Sequence, residues 1–163
     1  NNLVLVSILR AGMPLHQGFT NYFDHSESAF IGAFRGVHDV GTDFEIEMEY
    51  ISSPSIEGKT LIICDPMLAT GKSLVKSYNA MLRFGKPEVI HKVGVIASQV
   101  GVDFGKNAVP EANLWLGDID ELLDEKSYIV PGIGDAGDLA YGVKIEDKRH
   151  KILDKDINFS YKT

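Results

Sequence analysis

Short apolar runs alternate with helically spaced segments from one end of the chain to the other. Leu3-Val-Leu-Val-Ser-Ile-Leu9 is nearly continuous and rich in β-branched residues, as strands covered on both faces are. Leu61-Ile-Ile-Cys-Asp65 and Val93-Gly-Val-Ile-Ala97 have the same character, with weaker strand signals at 29–34, 113–116 and 128–130. Between them, Pro14 to Phe23 and Ser73 to Phe84 carry apolar residues at three-and-four spacing, and Gly85-Lys86-Pro87 stops the second. Strand, turn, helix, strand predicts an α/β fold whose mainly parallel sheet is flanked by helices.

Two stretches depart from this rhythm. Gly36 to Ile46 places Gly36, Asp39, Gly41, Thr42 and Asp43 between two strand-like runs, which predicts a long β-hairpin flap and a candidate lid. Lys144 to Thr163 is dominated by charge, with few apolar residues to bury, and reads as a surface helix or loosely held tail.

Composition narrows the function classes. Across 163 residues, 44% hydrophobic against 24% charged is globular usage, and no repeat or low-complexity tract divides the chain. With 16 Lys and Arg against 23 Asp and Glu, the net charge of −7 offers no general attraction to nucleic acid or to anionic lipid. The apolar runs fall far short of the roughly 18 residues that span a bilayer, so no membrane association is expected. The single Cys64 forms no internal disulfide, which fits the cytoplasm. In an apolar strand it reads as a core residue, and the five histidines show no metal-ligand spacing.

The chemistry concentrates at Asp65-Pro-Met-Leu-Ala-Thr-Gly-Lys-Ser73. A buried strand ends at Asp65, Pro66 prevents its extension, and Ala69 to Ser73 leads into a helix. Ligands bind at the carboxyl ends of strands in such sheets, and free N–H groups at a helix start attract anions. Thr70 and Ser73 add hydroxyls, Gly71 admits close backbone approach and Lys72 adds charge, which together suit a phosphate. The competing reading is a capped helix start, with Thr70 as N-cap and Gly71 as a turn residue. A nucleoside-triphosphate P-loop is disfavoured because Pro66 stands where its first glycine belongs.

This segment resembles the phosphoribosyl diphosphate motif of uracil phosphoribosyltransferases. Ile8-Leu-Arg-Ala-Gly12 upstream and Tyr128-Ile-Val-Pro-Gly-Ile-Gly-Asp-Ala-Gly-Asp138 downstream are similar to that family's other two motifs, in order. The resemblance implies a type I phosphoribosyltransferase fold over residues 1–143, lacking the family's amino-terminal segment, with 144–163 as a charged extension. It implies the reaction of uracil with 5-phospho-α-D-ribose 1-diphosphate (PRPP) to give UMP and diphosphate, in pyrimidine salvage. Magnesium would arrive with PRPP, a homodimer or higher homo-oligomer is implied, and some relatives take GTP as an allosteric activator.

Roles carry over motif by motif. Asp65 is implied to hold the ribose hydroxyls, with Ala69, Thr70, Gly71, Lys72 and Ser73 wrapping the 5′-phosphate and Pro66, Met67 and Leu68 as further PRPP contacts. Arg10 is implied to grip the diphosphate leaving group, with Arg35 as a second contact. Uracil is implied to be read by the backbones of Ile129, Gly134 and Ala136 beside Tyr128, with Asp135 facing PRPP or its magnesium. A glycine-rich loop suits that task, because carbonyls match uracil N3–H and amides match its O2 and O4, whereas cytosine reverses the group at position 4. The expected catalytic contributions come from Arg10 and Asp135, with no nucleophile required. Many relatives have a glycine at the Lys72 position and a basic residue at that of Leu139. The rival readings are a uridine-nucleotide-binding regulator without turnover and an inactive structural paralogue.

Overall fold

The computed structural model describes residues 2–35 and 46–144, with side chains at 2–32 and 50–144. Most of the flap expected at Gly36 to Ile46 and nearly all of the charged extension at 144–163 lie outside the described residues.

The chain runs β1 (Leu3–Leu9), α1 (Met13–Tyr22), β2 (Glu27–Arg35), β3 (Ile46–Ser52), β4 (Thr60–Cys64), β5 (Met67–Leu68) and α2 (Lys72–Met81), which ends in a 3-10 turn at Leu82–Phe84. Then follow β6 (Val89–Ser98), α3 (Gln99–Ala108), β7 (Ala112–Asp120), β8 (Leu122–Leu123), β9 (Ile129–Val130) and α4 (Ala136–Tyr141). One seven-stranded sheet has the order β3-β2-β1-β4-β6-β7, and β5 pairs β6 beyond the end of β4. Every pairing is parallel except β2 with β3. The short β8 and β9 form a separate antiparallel hairpin.

Period-two alternation sorts β1 onto two faces. Val4, Val6 and Ile8 enter the main core with Leu61, Ile63, Leu74, Met81 and Val102, which is the side covered by α2 and α3. Leu5 points the other way, joining Ile62 and Cys64 under Leu15 and Phe19 of α1 and Phe23 just beyond its end. Because both faces are covered, the central strands read as continuous apolar runs.

The expected strands and two helices are present, with boundaries displaced by a few residues. α3 is an addition: Gln99-Val-Gly-Val-Asp-Phe-Gly-Lys-Asn-Ala108 contains two glycines and two valines, poor helix formers, and it forms by packing rather than by propensity.

Candidate functional site

Two parallel neighbours, β1 and β4, end at the same edge of the sheet, so Arg10 and Asp65 emerge side by side. The turn after β1 closes by Gly12 N–H donating to Ile8 O at 2.8 Å. A Cβ on Gly12 would stand 2.4 Å from Cys64 O, so only glycine lets this turn rest on the end of β4.

Asp65, Met67, Leu68, Ala69, Thr70, Gly71 and Ser73 form one wall of a cleft of about 160 Å³. Ser127, Tyr128, Asp135, Ala136 and Gly137 form the facing wall, and Ala11 joins the two at the base. Gly137 lies 3.7 Å, measured from where its Cβ would be, from Ala11, so the glycine-rich loop and the turn carrying Arg10 meet directly. The three sequence motifs thus converge on a single cleft. Pro66, Lys72, Ile129 and Gly134 belong to the same loops but do not line it; Ile129 is buried beneath. Arg35 closes β2, and its side chain lies outside the described residues.

The helix start differs from the capped arrangement considered above. Gly71, not Thr70, is the N-cap of α2, in left-handed conformation at φ 75°, while Thr70 Oγ1 accepts only a long 3.4 Å contact from Lys72 N–H. Glycine is needed here twice over, because a Cβ would also lie 2.8 Å from Gly101 O.

Asp135 caps α4, its Oδ1 accepting from Asp138 N–H at 2.9 Å and its Oδ2 from Lys144 Nζ at 2.7 Å. Burial would raise its pKa, but the Lys144 ammonium and the Asp138 and Gly137 amides outweigh that and hold the carboxyl below its usual range. Asp138 Oδ1 accepts from Arg10 Nη2 at 2.6 Å, and Arg10 Nη1 donates to Gly142 O at 3.3 Å. The guanidinium is thereby held against Asp138 and Gly142; Arg10 itself does not line the cleft, which its neighbour Ala11 does.

Asp65 is almost wholly enclosed. Burial raises its pKa, opposed by the nearby Lys92 ammonium and by the Met67 amide. Lys92 itself is completely buried on β6 and donates to the backbone carbonyls of Asp65 and Val93. Cys64 is pushed up to about 12 by burial, which makes it an inert core thiol as expected. Lys92 and Ser98, both at 0% exposure beneath the Asp65–Ser73 loop, were not singled out by motif; a lone lysine in an apolar strand was the only signal. Among the described residues no group of His, Cys, Asp and Glu is arranged to hold a metal ion, and no helix is long and apolar enough to cross a membrane.

The family model for uracil phosphoribosyltransferase matches residues 1–143. The uracil phosphoribosyltransferase of Porphyromonas gingivalis is 52% identical over 146 residues, covering 89% of this chain and 67% of the relative. That of Thermococcus gammatolerans is 38% identical over 149 residues, covering 91% and 65%. The chain therefore spans about two thirds of the length of these curated relatives. Among solved structures, the AQ2163 protein of Aquifex aeolicus superposes with a TM-score of 0.80 at 33% identity, over 88% of this chain and 67% of that one. A hypoxanthine phosphoribosyltransferase from Staphylococcus aureus, at TM-score 0.53 and 21% identity over 85% of this chain and 78% of that one, shares the fold. With its three motifs gathered on one cleft and its sequence matched nearly end to end over the described residues, the chain belongs to the uracil phosphoribosyltransferase family.

Proposed function

We propose that this protein transfers the phosphoribosyl group of PRPP to N1 of uracil, releasing diphosphate and forming UMP. The observation that carries this reading is the convergence of Asp65, the Ala69–Ser73 loop and the Tyr128–Ala136 loop on one cleft beside Arg10.

The residues divide the work by chemistry. Ionised Asp65 accepts from the two ribose hydroxyls, and the Ala69 to Ser73 amides with the Thr70 and Ser73 hydroxyls surround the 5′-phosphate. As the C1–diphosphate bond breaks, positive charge develops on the ribosyl carbon and negative charge on the leaving group. The Arg10 guanidinium meets that negative charge, being permanently ionised and able to grip phosphate oxygens bidentately. Arg35 is the second diphosphate contact. Uracil lies against Tyr128, read by the Ile129, Gly134 and Ala136 backbones, and loses its N1 proton as the new C–N bond forms. The Asp135 carboxylate is a hard oxygen donor that would suit magnesium carried in on the diphosphate, an ion that would offset the charge of the leaving group.

The fold serves pyrimidine salvage in the cytoplasm as a homodimer or larger homo-oligomer, with GTP as the candidate activator. The test is incubation with PRPP, magnesium and labelled uracil while diphosphate release is followed, with cytosine, orotate and adenine as controls. UMP from uracil alone is the expected result. Turnover of adenine or orotate would assign another base, and no turnover at all would leave only nucleotide binding.

A further inference from the structure

The loop between β4 and α2 is fastened to β6 one carbonyl at a time. Lys92 Nζ donates to Asp65 O, and the Val95 and Ile96 amides donate to Pro66 O at 2.8 and 3.0 Å. Met67 and Leu68 pair with Ile96 and Ala97 as β5. Ser98, the last residue of β6, donates its hydroxyl proton to Ala69 O, while its oxygen accepts from Gly101 N–H at 2.9 Å. That serine is wholly buried, and both faces of its hydroxyl are used. Capping α3 explains the bond to Gly101; it does not explain the one to Ala69.

The second bond has a directional consequence. A trans peptide unit is planar, with its C=O and N–H on opposite sides. The Ala69–Thr70 peptide is trans, and its carbonyl is drawn down to Ser98. The Thr70 N–H, on the opposite side of the same C–N bond, is thereby turned away from Ser98, in a loop whose Ala69, Thr70 and Gly71 line the cleft. Space beneath the loop is also closed: a Cβ at Gly101 would stand 2.4 Å from both Leu68 O and Ala69 O. The carbonyls therefore pass close over α3 at Gly101.

We infer that Ser98, which lies outside all three motifs, is a positioning residue for the 5′-phosphate: it holds the Ala69–Thr70 peptide so that the Thr70 amide is aimed at a phosphate oxygen before the ligand arrives. The inference rests on the reading of Ala69 to Ser73 as the phosphate seat. Without the serine hydroxyl the carbonyl loses its buried donor, the peptide gains freedom to rotate, and the amide is no longer preset.

The experiment compares UMP with uridine, which differ by the phosphate alone, on the wild type, Ser98→Ala and Ser98→Thr, by calorimetry. Ser98→Ala is expected to weaken UMP binding about tenfold, one charge-assisted hydrogen bond, while leaving uridine unchanged. Ser98→Thr, which keeps the hydroxyl, restores UMP affinity. In 15N-labelled protein, the Thr70 amide proton shifts on addition of UMP to the wild type and fails to do so in Ser98→Ala. If Ser98→Ala does not fold, Ser98→Cys, whose thiol donates weakly, gives the same comparison. Equal weakening of UMP and uridine, or of neither, overturns the inference and leaves Ser98 a helix cap only. A wild type that binds UMP no more tightly than uridine instead sinks the phosphate-seat reading itself.

Discussion

The fully buried Lys92 side chain reaches from the centre of the sheet to the backbone carbonyl of Asp65, a residue of the cleft lining. Burial lowers the Lys92 pKa, and the Asp65 carboxylate opposes that fall while two backbone carbonyls accept from the amino group. The benefit is mutual: burial raises the Asp65 pKa, and the ammonium opposes that rise, favouring the ionised form that accepts from ribose hydroxyls. Lys92→Met removes the ammonium and keeps most of the volume. Asp65 then protonates at higher pH, so the acid limb of kcat/KM for PRPP moves upward in pH, and KM for PRPP at neutral pH rises more than KM for uracil. Asp65→Asn, which cannot be ionised, is expected to lose most PRPP use while folding normally. A Lys92→Met profile superimposable on the wild type would remove the electrostatic role.

Two helical glycines are predicted to respond to alanine with opposite sign. In an open helical position Gly→Ala gains up to about 1 kcal/mol from reduced backbone entropy and better propensity. Gly18 on α1 is such a position, with nothing within 4 Å of the added Cβ. Gly18→Ala is expected to raise Tm by about 2–4 °C. At Gly101 the added methyl meets two backbone carbonyls at 2.4 Å, and overpacking costs of ~1–3 kcal/mol exceed the propensity gain. Gly101→Ala is expected to lower Tm and, because the displaced atoms are Leu68 O and Ala69 O, to raise KM for PRPP. Thermal melts and initial rates check both; a rise in Tm for Gly101→Ala would show that the loop yields freely.

That contrast also marks where the sequence was legible. β1 and β4 are two-face-buried strands whose nearly continuous apolar runs announce them, and the middle of β6 is announced by its apolar run although Val95 is exposed. Asp65 and the Tyr128–Asp138 loop were readable because strand ends and glycine-rich turns carry ligand chemistry by position, and the fold brings them together on one cleft. α3 was invisible for the reason that makes it useful: Gly101 and Gly105 are poor helix formers kept small for close approach to Leu68 O, Ala69 O and Leu74. Lys92 hid the start of β6 because an ammonium signals solvent by default, and only the tertiary structure supplies the carbonyls that satisfy it. The cap of α2 was misplaced by one residue because a threonine suits an N-cap in isolation, whereas the approach of Gly101 demands a glycine there.

His16 gives the fold an acid sensitivity independent of the cleft. It is buried on α1, its Nε2 hydrogen-bonded with Ser28 Oγ at 3.1 Å and its ring 5.3 Å from that of Phe30. Burial lowers its pKa from 6.5. A depressed pKa means that the folded state binds the proton less readily than the unfolded one. The stability this group contributes is present above about 6.5 and is lost as pH falls through the lower folded value. Urea midpoints are expected to fall between pH 7.5 and 5, and to fall less in His16→Gln, which keeps a polar partner for Ser28 and cannot titrate. Equal slopes in both proteins would place the sensitivity elsewhere.

Arg10 and Asp138 form an ion pair whose value lies in position rather than in stability. The guanidinium is 40% exposed, and pairs at that exposure contribute about 1 kcal/mol or less. Asp138→Ala should therefore leave Tm nearly unchanged, but it alters two terms at the cleft in opposite directions. Removing a carboxylate takes one negative charge away from an anionic substrate, which lowers KM for PRPP. It also frees the guanidinium from a side chain that fixes its orientation, and an unfixed cation stabilises the departing diphosphate less well as its charge develops. Both kcat and KM are then expected to fall, KM because a repelling charge has gone and kcat because the guanidinium is no longer fixed where the leaving-group charge develops. Steady-state rates with PRPP as the varied substrate read the two separately. A lower kcat with unchanged KM would leave the orienting role and remove the charge-repulsion one, a raised KM would mean that Asp138 contributes to binding PRPP itself, and unchanged values of both would mean that Arg10 is oriented without it.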